Sequence, residues 1–300
     1  MIDIAIVGGG PAGLNAGLYA KRGGASVRLF EEMFTGGQIV KTHRVDNYLG
    51  FSDGPDGYTL GAAFEQHISK LGLEPDYTPV LKLELSDNRK VLTLPDGQVE
   101  AKTVILCMGA SPRLLGAKGE DIYSGNGISY CATCDGAFYR DKTVAVIGGG
   151  DTAVSDAVYL SALCKKVYII HRRDALRASE LLQQSAFSKP NIEVVWNTTV
   201  EEFVGEQSLS GITLKDKLTG EIRTLNIDGA FVAVGIVPRT ELIADQLALA
   251  DDGSIETDKY METSVKGVFA AGDIRNTPLR QVITACADGA VAASRALELC

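Results

Sequence analysis

The chain begins with a short apolar segment, Ile2–Val7, followed at once by the glycine-rich segment Gly8–Gly13. A helix is predicted from there to about Arg22, where a pair of glycines stops it. A second apolar segment, Ser26–Phe30, comes next. A buried strand, a glycine turn, a helix and a second strand, in this order, predict a βαβ unit of a parallel sheet.

The same order of elements returns 140 residues later. Thr143–Ile147 reads as a strand, Gly148–Ala153 as a small-residue turn, and a helix follows to about Leu163. Lys166–Ile170 reads as the next strand. The repeat predicts a second nucleotide-binding unit of the same class.

The spacing of the two units is the same. Glu31 lies 23 positions after Gly8, and His171 lies 23 positions after Gly148. Equal spacing favours a duplicated fold over two unrelated glycine clusters. The predicted fold class is therefore α/β with two Rossmann-like domains.

The first turn has the Gly-x-Gly-x-x-Gly spacing at Gly8, Gly10 and Gly13. Residues without large side chains let backbone N–H groups approach a pyrophosphate at a helix N-terminus. Glu31 follows the second strand, where a carboxylate can accept hydrogen bonds from ribose hydroxyls. The alternative is a strand–helix turn with no ligand, which the complete order of elements disfavours.

The second unit carries basic residues where the first carries an acid. His171, Arg172 and Arg173 follow its second strand, and Arg177 lies one turn further on. Guanidinium groups suit phosphate oxygens, so the cluster predicts a preference for NADPH over NADH. The alternative is a solvated basic cluster on the surface.

A close pair of cysteines lies in Cys131-Ala-Thr-Cys134-Asp135. It has three interpretations: half of a zinc site, two buried thiols, or a redox disulfide. No second close pair exists and the histidines are scattered, so no metal site is predicted. We favour the redox disulfide, with Asp135 as the carboxyl group that transfers the proton.

Composition limits the remaining possibilities. The formal net charge of −9 argues against a nucleic-acid partner. The six cysteines do not form the dense framework of a small secreted domain, and Met1-Ile2-Asp3 lacks a basic leader region. No apolar run approaches the ~18 residues of a membrane helix. We expect a cytoplasmic enzyme. His43 lies in a polar loop and is given no catalytic role.

These features together resemble the bacterial low-molecular-weight thioredoxin reductases of the pyridine nucleotide–disulfide oxidoreductase group. The likeness runs nearly end to end, and the cysteine block is its most specific part. The matching segments are Gly8–Gly13, Gly36–Ile39, Val45–Asn47, Cys131–Asp135, Gly148–Ala153, His171–Arg177, Val268–Asp273 and Arg280–Ile283.

The resemblance implies two cofactors, FAD at the first turn and NADPH at the second. The residues it assigns to FAD are Gly8, Gly10, Pro11, Ala12, Gly13, Glu31, Gly37, Gln38, Asn47, Gly109, Gly272, Asp273, Arg280, Gln281 and Val282. Those it assigns to NADPH are Gly148, Gly150, Asp151, Thr152, Ala153, His171, Arg172, Arg173 and Arg177.

The segment Val268–Asp273, a strand ending in Gly-Asp, resembles the flavin-domain signature near the C-terminus. The FAD domain is therefore expected to be discontinuous, spanning 1–112 and 241–300. The NADPH domain, 113–240, would be inserted into it and would carry the disulfide. Crossings are expected near 112 and 240.

The resemblance also implies an activity, the reduction of thioredoxin. Cys134 would face the flavin, Cys131 would attack the target disulfide, and Asp135 would be the general acid. A homodimer is implied, with an NADPH domain that rotates because nicotinamide and dithiol must each approach the flavin. Two departures are Cys107-Met108, where relatives often have Ala-Thr, and Leu279, where they often have Tyr.

Other functions remain as alternatives. Similar flavoproteins take electrons from ferredoxin or pass them to oxygen, and a degraded nucleotide turn would indicate these relatives. Another disulfide protein as the acceptor is a further alternative. A flavin-binding regulator without turnover would lack a cysteine or the acid in the block 131–135. The chain keeps the intact turn and all three residues.

Overall fold

The computed structural model describes residues 1–42, 45–243 and 245–300. The chain forms two compact units, one of Met1–Ser111 with Ile236–Cys300 and one of Pro112–Gly235. The expected domain bounds, 1–112 with 241–300 and 113–240, stay a prediction. Ile236–Pro238 pairs with Ala110–Pro112 in a two-stranded sheet.

The described residues form β-strands, α-helices and two short 3-10 helices. The strands are β1 (Ile2–Val7), β2 (Val27–Phe30), β3 (Lys82–Leu85), β4 (Lys90–Leu94), β5 (Gly97–Leu106), β6 (Ala110–Pro112), β7 (Ile128–Ser129), β8 (Thr143–Ile147), β9 (Lys166–Ile170), β10 (Ile192–Val195), β11 (Thr198–Gly205), β12 (Leu209–Asp216), β13 (Ile222–Asn226), β14 (Gly229–Val232), β15 (Ile236–Pro238) and β16 (Val268–Ala270). The α-helices are α1 (Pro11–Arg22), α2 (Gly57–Ser69), α3 (Glu120–Tyr123), α4 (Ala132–Asp135), α5 (Asp151–Ser161), α6 (Glu180–Phe187) and α7 (Val282–Leu297). Two short 3-10 helices cover Gly37–Lys41 and Gly136–Tyr139.

The first unit is built on a six-stranded sheet in the order β2-β1-β5-β4-β3, with β16 also paired to β5. The pairs among β2, β1, β5 and β16 are parallel, while β3 and β4 form an antiparallel addition. Helices α1 and α7 pack closely together: a Cβ on Gly289 would lie 2.1 Å from the carbonyl oxygen of Ala12. This approach brings the N-terminal turn and the C-terminal segment into one core.

The second unit is built on a five-stranded parallel sheet in the order β10-β9-β8-β14-β7. Its central strands β8 and β14 are mostly apolar and buried, as is typical of a parallel sheet that is covered on both faces. A separate antiparallel sheet, β11-β12-β13, lies between β10 and β14 in the chain and was not anticipated from the sequence.

The duplicated α/β architecture confirms the predicted fold class. Strand β1 and strands β8 and β9 have the expected bounds, and α1 ends at the expected Arg22. Helix α5 ends at Ser161, slightly before the expected Leu163. Among the described residues, no helix has the length and apolar character needed to cross a membrane.

Candidate functional site

The first glycine turn joins β1 to α1, and two of its glycines are required by the packing of the chain itself. Gly8 has φ 106°, and a Cβ there would lie 2.4 Å from the carbonyl oxygen of Cys107. A Cβ on Gly13 would lie 1.9 Å from the carbonyl oxygen of Gly8. These two glycines let strand, turn and helix pack directly on one another.

Gly10, in contrast, is not required by packing within the chain. It is extended, with φ −73° and ψ −178°, and a Cβ there would find its nearest neighbour, the Cα of Gly37, 4.0 Å away. Gly10 is the N-cap of α1, with Pro11 at the first helical position. The space above it therefore faces the positive end of a helix dipole, where an anionic group binds well.

The carboxylate of Glu31 holds this turn in shape. Its Oε2 accepts a hydrogen bond from the N–H of Gly9 at 2.7 Å. Its Oε1 accepts from the N–H groups of Glu32 at 2.9 Å and Met33 at 3.1 Å. The predicted ribose contact stays a prediction, and the structure adds a positioning role that the sequence did not indicate.

Gly37 approaches the first turn, and two further hydrogen bonds join segments that are distant in sequence. Gly37, with φ 60°, would have its Cβ 3.2 Å from the Cα of Gly10. The side-chain nitrogen of Gln38 donates to the carbonyl oxygen of Ala110. Asn47 donates from Nδ2 to Oε1 of Gln281 at 2.8 Å. Four of the predicted flavin-site residues therefore lie in two contacting pairs.

Gly272 and Gly109 mark the ends of the two other strands near this turn. Gly272 has φ 79°, and its N–H donates to Oδ2 of Asp288 at 3.1 Å. A Cβ on it would lie 3.0 Å from the Cβ of Ala12. Gly109 has φ 71°, and its carbonyl oxygen accepts from the N–H of Arg239 at 3.0 Å.

Asp288 belongs to a buried ion pair that sequence reasoning missed. Its Oδ2 lies 3.2 Å from Nη1 of Arg275, and the two side chains are only 13% and 11% exposed. The Nε of Arg275 donates to the hydroxyl of Thr257 at 2.7 Å. The available signal was that Asp288 is the one acidic residue in the sequence of α7. This pair ties α7 to the turn at Gly272.

Arg280 precedes α7, and its Nε is buried without a hydrogen-bond partner among the described residues. Its Nη2 lies 3.8 Å from Oδ2 of Asp252. Burial raises the pKa of Asp273, the charge of Arg280 opposes that rise, and the charge of Asp288 adds to it. A buried donor without an acceptor is costly, so this position favours a polar ligand group beside Arg280.

The start of α7 is fixed by a reciprocal capping box. The side chain of Gln281 accepts from the N–H of Thr284, and the N–H of Gln281 donates to the Thr284 hydroxyl at 3.1 Å. Val282 is the first helical residue. The predicted flavin contact of Val282 therefore lies at a helix N-terminus that is held in place.

The second glycine turn, between β8 and α5, contains the same two kinds of glycine as the first: one required by packing and one with open space around it. A Cβ on Gly148 would lie 2.5 Å from the carbonyl oxygen of Ala233 and 2.7 Å from the Cβ of Ala153. Gly150, the N-cap of α5, is extended with φ −93°, and a Cβ there would meet nothing within 4 Å. Thr152 is exposed just inside the helix. Again the N-cap position is open for an anion.

The basic loop after β9 is tied to this turn by its backbone. The N–H of Arg177 donates to the carbonyl oxygen of Gly149 at 2.7 Å. The N–H of Ser179 donates to Oδ1 of Asp151 at 2.7 Å. Arg172, Arg173 and Arg177 are exposed, and none forms an ion pair with a residue that the structure describes. Three guanidinium groups without an ion-pair partner among the described residues thus lie on a loop that is hydrogen-bonded to the second glycine turn.

His171 differs from its arginine neighbours. It is 4% exposed, with Nε2 3.0 Å from the carbonyl oxygen of Ala175 and its ring edge against Trp196. A Cβ on Gly149 would lie 2.2 Å from its Nδ1. Burial lowers the pKa of His171. The ring therefore supports the turn from behind, and the predicted phosphate contact stays a prediction.

Cys131 and Cys134 form a disulfide with an S–S distance of 2.02 Å. Cys131 is the N-cap of the short helix α4, and the N–H of Asp135 donates to its carbonyl oxygen at 3.2 Å. Both cysteines are half-buried. The Sγ of Cys131 lies 3.5 Å from the Thr133 hydroxyl. The pair can exchange with an external disulfide once it is reduced.

Ser129, at the end of β7, was not singled out from the sequence. It is 5% exposed, and its hydroxyl donates to Oδ2 of Asp135 at 2.6 Å. The hydroxyl oxygen of Ser129 also accepts from the N–H of Cys131 at 3.1 Å. Burial raises the pKa of Tyr139, and the nearby charge of Asp135 contributes to that rise. Asp135 is therefore held beside the disulfide by a buried neighbour.

A buried carboxylate, Glu120, lies behind the redox motif and was also missed. It is 4% exposed and accepts from the N–H groups of Leu115 at 2.9 Å and Gly116 at 2.7 Å. It also accepts from the hydroxyl of Tyr130 at 3.0 Å. Tyr130 directly precedes Cys131, so this carboxylate links the start of the second unit to the redox motif.

The remaining cysteines are free thiols. Cys107, Cys164 and Cys286 are buried and Cys300 is exposed, and burial raises the pKa of all four thiols, that of Cys164 to about 11. A raised pKa keeps a thiol protonated and unreactive. His43, given no catalytic role, lies outside the described residues.

A sequence profile of the pyridine nucleotide-disulphide oxidoreductases matches residues 2–289. A thioredoxin reductase from Peptoclostridium acidaminophilum is 43% identical over 98% of this chain and 95% of its own. The solved thioredoxin reductase from Streptococcus pyogenes superposes with a TM-score of 0.92 at 40% identity, over 100% of this chain and 98% of that one. A ferredoxin-flavin thioredoxin reductase from Clostridium acetobutylicum has a TM-score of 0.53 at 33% identity, over 99% and 97%.

Both the profile and the relatives cover almost the whole chain, including both glycine turns and the cysteine pair. They match in sequence and in fold, and they confirm the resemblance drawn from the motifs alone. The chain therefore belongs to the pyridine nucleotide-disulphide oxidoreductase family, and within it to the thioredoxin reductases.

Proposed function

We propose that this protein is an FAD-containing thioredoxin-disulfide reductase that takes its electrons from NADPH. One observation carries the proposal: the Cys131–Cys134 disulfide and its neighbouring acid lie in the same compact unit as a nucleotide turn flanked by unpaired arginines. The family membership supports the same activity.

FAD is assigned to the first unit, Met1–Ser111 with Ile236–Cys300. Gly10 leaves room for the pyrophosphate, Glu31 is assigned the ribose, and the buried Nε of Arg280 lacks an acceptor that a flavin oxygen can supply. When bound, the flavin accepts a hydride and delivers electrons to a disulfide. The residues of the chain would bind and orient the flavin and exclude competing reactions.

The other residues assigned to FAD complete this site in two groups. Backbone positions would give close approach, and polar side chains would meet the ring and the ribityl chain. They are Gly8, Pro11, Ala12, Gly13, Gly37, Gln38, Asn47, Gly109, Gly272, Asp273, Gln281 and Val282.

NADPH is assigned to the second unit. Gly150 leaves its N-cap position open for the pyrophosphate, and Arg172, Arg173 and Arg177 would bind the 2′-phosphate. Gly148, Asp151, Thr152 and Ala153 shape the turn, and His171 packs behind it. Guanidinium groups on one side of the adenosine ribose favour NADPH over NADH by direct charge pairing.

Proton balance gives Asp135 its role. Reducing a disulfide to two thiols takes two electrons and two protons, whereas a hydride carries two electrons and one proton. One proton per turnover therefore comes from solvent. Asp135, half-buried beside the disulfide, would transfer it to the departing thiolate as general acid.

Transfer to the partner follows as two exchange steps. The Cys131 thiolate attacks one sulfur of the thioredoxin disulfide, forming a mixed disulfide and releasing one partner thiolate. The Cys134 thiolate then attacks the Cys131 sulfur, which closes the original disulfide and releases the second partner thiolate. Atoms and electrons balance, and thioredoxin leaves as a dithiol.

The two half-reactions need different groups beside the flavin. The nicotinamide and the disulfide are both assigned to the unit Pro112–Gly235, and one small space does not hold both. We propose that this unit rotates about its two crossings, near residues 112 and 240, between the half-reactions. Turnover would then be limited by this motion.

The alternative is a relative with another donor or acceptor. The solved ferredoxin-flavin reductase has the same fold. The intact turn at Gly148–Ala153 and the three exposed arginines favour NADPH as the donor here. We also propose a homodimer, because the resemblance implies one. A cytoplasmic localisation is proposed as well, since it fits the four free thiols among the described residues.

Coupled turnover with thioredoxin tests the function. The holoenzyme, NADPH and oxidised thioredoxin are expected to consume NADPH, and Cys134→Ser is expected to abolish that consumption. The control is Cys300→Ser, which removes an exposed free thiol and should leave the rate unchanged. The proposal would be overturned if NADPH did not drive thioredoxin reduction and the protein instead took its electrons from ferredoxin or passed them to oxygen.

A further inference from the structure

The hydroxyl of Ser129 connects the two ends of the redox motif. It donates to Oδ2 of Asp135 at 2.6 Å and accepts from the N–H of Cys131 at 3.1 Å. A serine hydroxyl has a single proton, and the carbonyl oxygen of Cys131 offers a longer alternative at 3.3 Å. The shorter contact to a carboxylate is the stronger one, so the proton is directed at Asp135.

The position of Ser129 makes this contact rigid. Its side chain is 5% exposed, and its backbone lies in β7 opposite Phe231 of β14, in the interior of the second unit. By contrast, Asp135 is half-buried and ends the four-residue helix α4, of which the half-buried Cys131 is the N-cap. A helix of one turn holds its own side chains weakly. The buried hydroxyl therefore orients the acid at the end of this helix.

We propose that Ser129 is a positioning residue for the thiol–disulfide step, acting through Asp135. Its hydroxyl fixes the orientation of this carboxylate, which follows Cys134 directly in the chain. Through the Cys131 amide it fixes the same geometry from the other end. This inference rests on the proposed function, since it concerns the acid of that reaction.

A double-mutant cycle separates this role from a general effect on folding. In the wild-type background, Ser129→Ala is expected to lower thioredoxin turnover by about tenfold, a fraction of what a complete general acid contributes. In an Asp135→Asn background the same change should cost less than about twofold, because its target is gone. Equal losses in both backgrounds, or no loss in either, would overturn the proposal.

The control is Ser161→Ala in the same unit. Its hydroxyl donates to the backbone oxygen of Val158 at 2.7 Å, and it lies at the C-terminal end of α5. It should leave turnover within about twofold of wild type. Flavin reduction by NADPH should be unchanged in Ser129→Ala, because that half-reaction does not involve the disulfide. Slowed flavin reduction would count against the assigned role.

A second pair of variants keeps the test decisive if Ser129→Ala does not fold. Ser129→Thr keeps a hydroxyl, whereas Ser129→Val has the same shape without one. The threonine variant should turn over roughly fivefold faster than the valine variant or better, and equal rates would contradict the proposal. A wild-type protein that does not reduce thioredoxin with NADPH is instead a failure of the proposed function.

Discussion

Asn47 and Gln281 are 234 positions apart, yet the amide nitrogen of one donates to the amide oxygen of the other at 2.8 Å. This contact joins the loop before α2 to the cap of α7. Both residues were assigned to the flavin on different motifs. Their meeting explains how a discontinuous unit can build one site from its two ends.

The open N-cap glycines give a prediction about binding without loss of fold. Gly10→Ala should weaken FAD retention, and Gly150→Ala should raise the KM for NADPH, each by about tenfold or more. The reason is that the added methyl group occupies the space of the pyrophosphate, although nothing in the chain opposes it. Thermal unfolding and ligand titration measure the two effects separately.

Gly148→Ala is the matched contrast. Its methyl group would lie 2.5 Å from the carbonyl oxygen of Ala233, so it should lower the free energy of unfolding as well as binding. If Gly150→Ala destabilised the protein as much as Gly148→Ala, the distinction between packing glycines and ligand glycines would fail.

The arginine loop predicts nucleotide preference. Arg173→Ala should raise the KM for NADPH roughly tenfold and leave that for NADH within about twofold, because only NADPH carries the 2′-phosphate. The same direction is expected for Arg172→Ala and Arg177→Ala. Steady-state kinetics with both nucleotides, beside the exposed Lys165→Ala as control, measure it. Equal effects on both nucleotides would mean that these arginines are only solvated.

The buried pair of Arg275 and Asp288 predicts a stability effect. Asp288→Ala should cost about 3 kcal/mol, because it leaves a buried guanidinium unpaired. FAD retention should fall with it, since the Gly272 amide loses its acceptor. On the same helix, Glu298→Gln removes an exposed partner of Arg295 and should cost about 0.5 kcal/mol or less. Urea unfolding compares the two, and similar costs would contradict the assignment.

Asp156 on α5 predicts a dependence of stability on pH. Burial raises its pKa from 3.8 to about 7, so the folded chain keeps the proton that the unfolded chain has lost. Its contribution to stability is complete below pH 4 and is lost as the pH rises from about 4 to 7. The gain in stability from Asp156→Asn should therefore be about 1 kcal/mol or more greater at pH 8 than at pH 5. The exposed Asp121→Asn is the control, and a gain independent of pH would contradict the prediction.

The sequence predicted the features of this protein that are encoded by patterns within short segments. The two βαβ units and the cysteine motif follow from apolar runs, glycine spacing and a short loop. Ser129, Glu120 and Asp288 could not be found that way, because each acts through a partner that only the fold supplies. His171 shows the reverse: it shares the basic run with Arg172, but burial turns its ring inward.

An anaerobic titration of the holoenzyme with NADPH tests the electron path most directly. FAD and the Cys131–Cys134 disulfide each take two electrons, so full reduction should consume about two equivalents of NADPH and release about two new thiols. A double variant, Cys131→Ser with Cys134→Ser, should bleach the flavin after about one equivalent. Equal consumption by both proteins, or a flavin that NADPH does not bleach, would contradict the account.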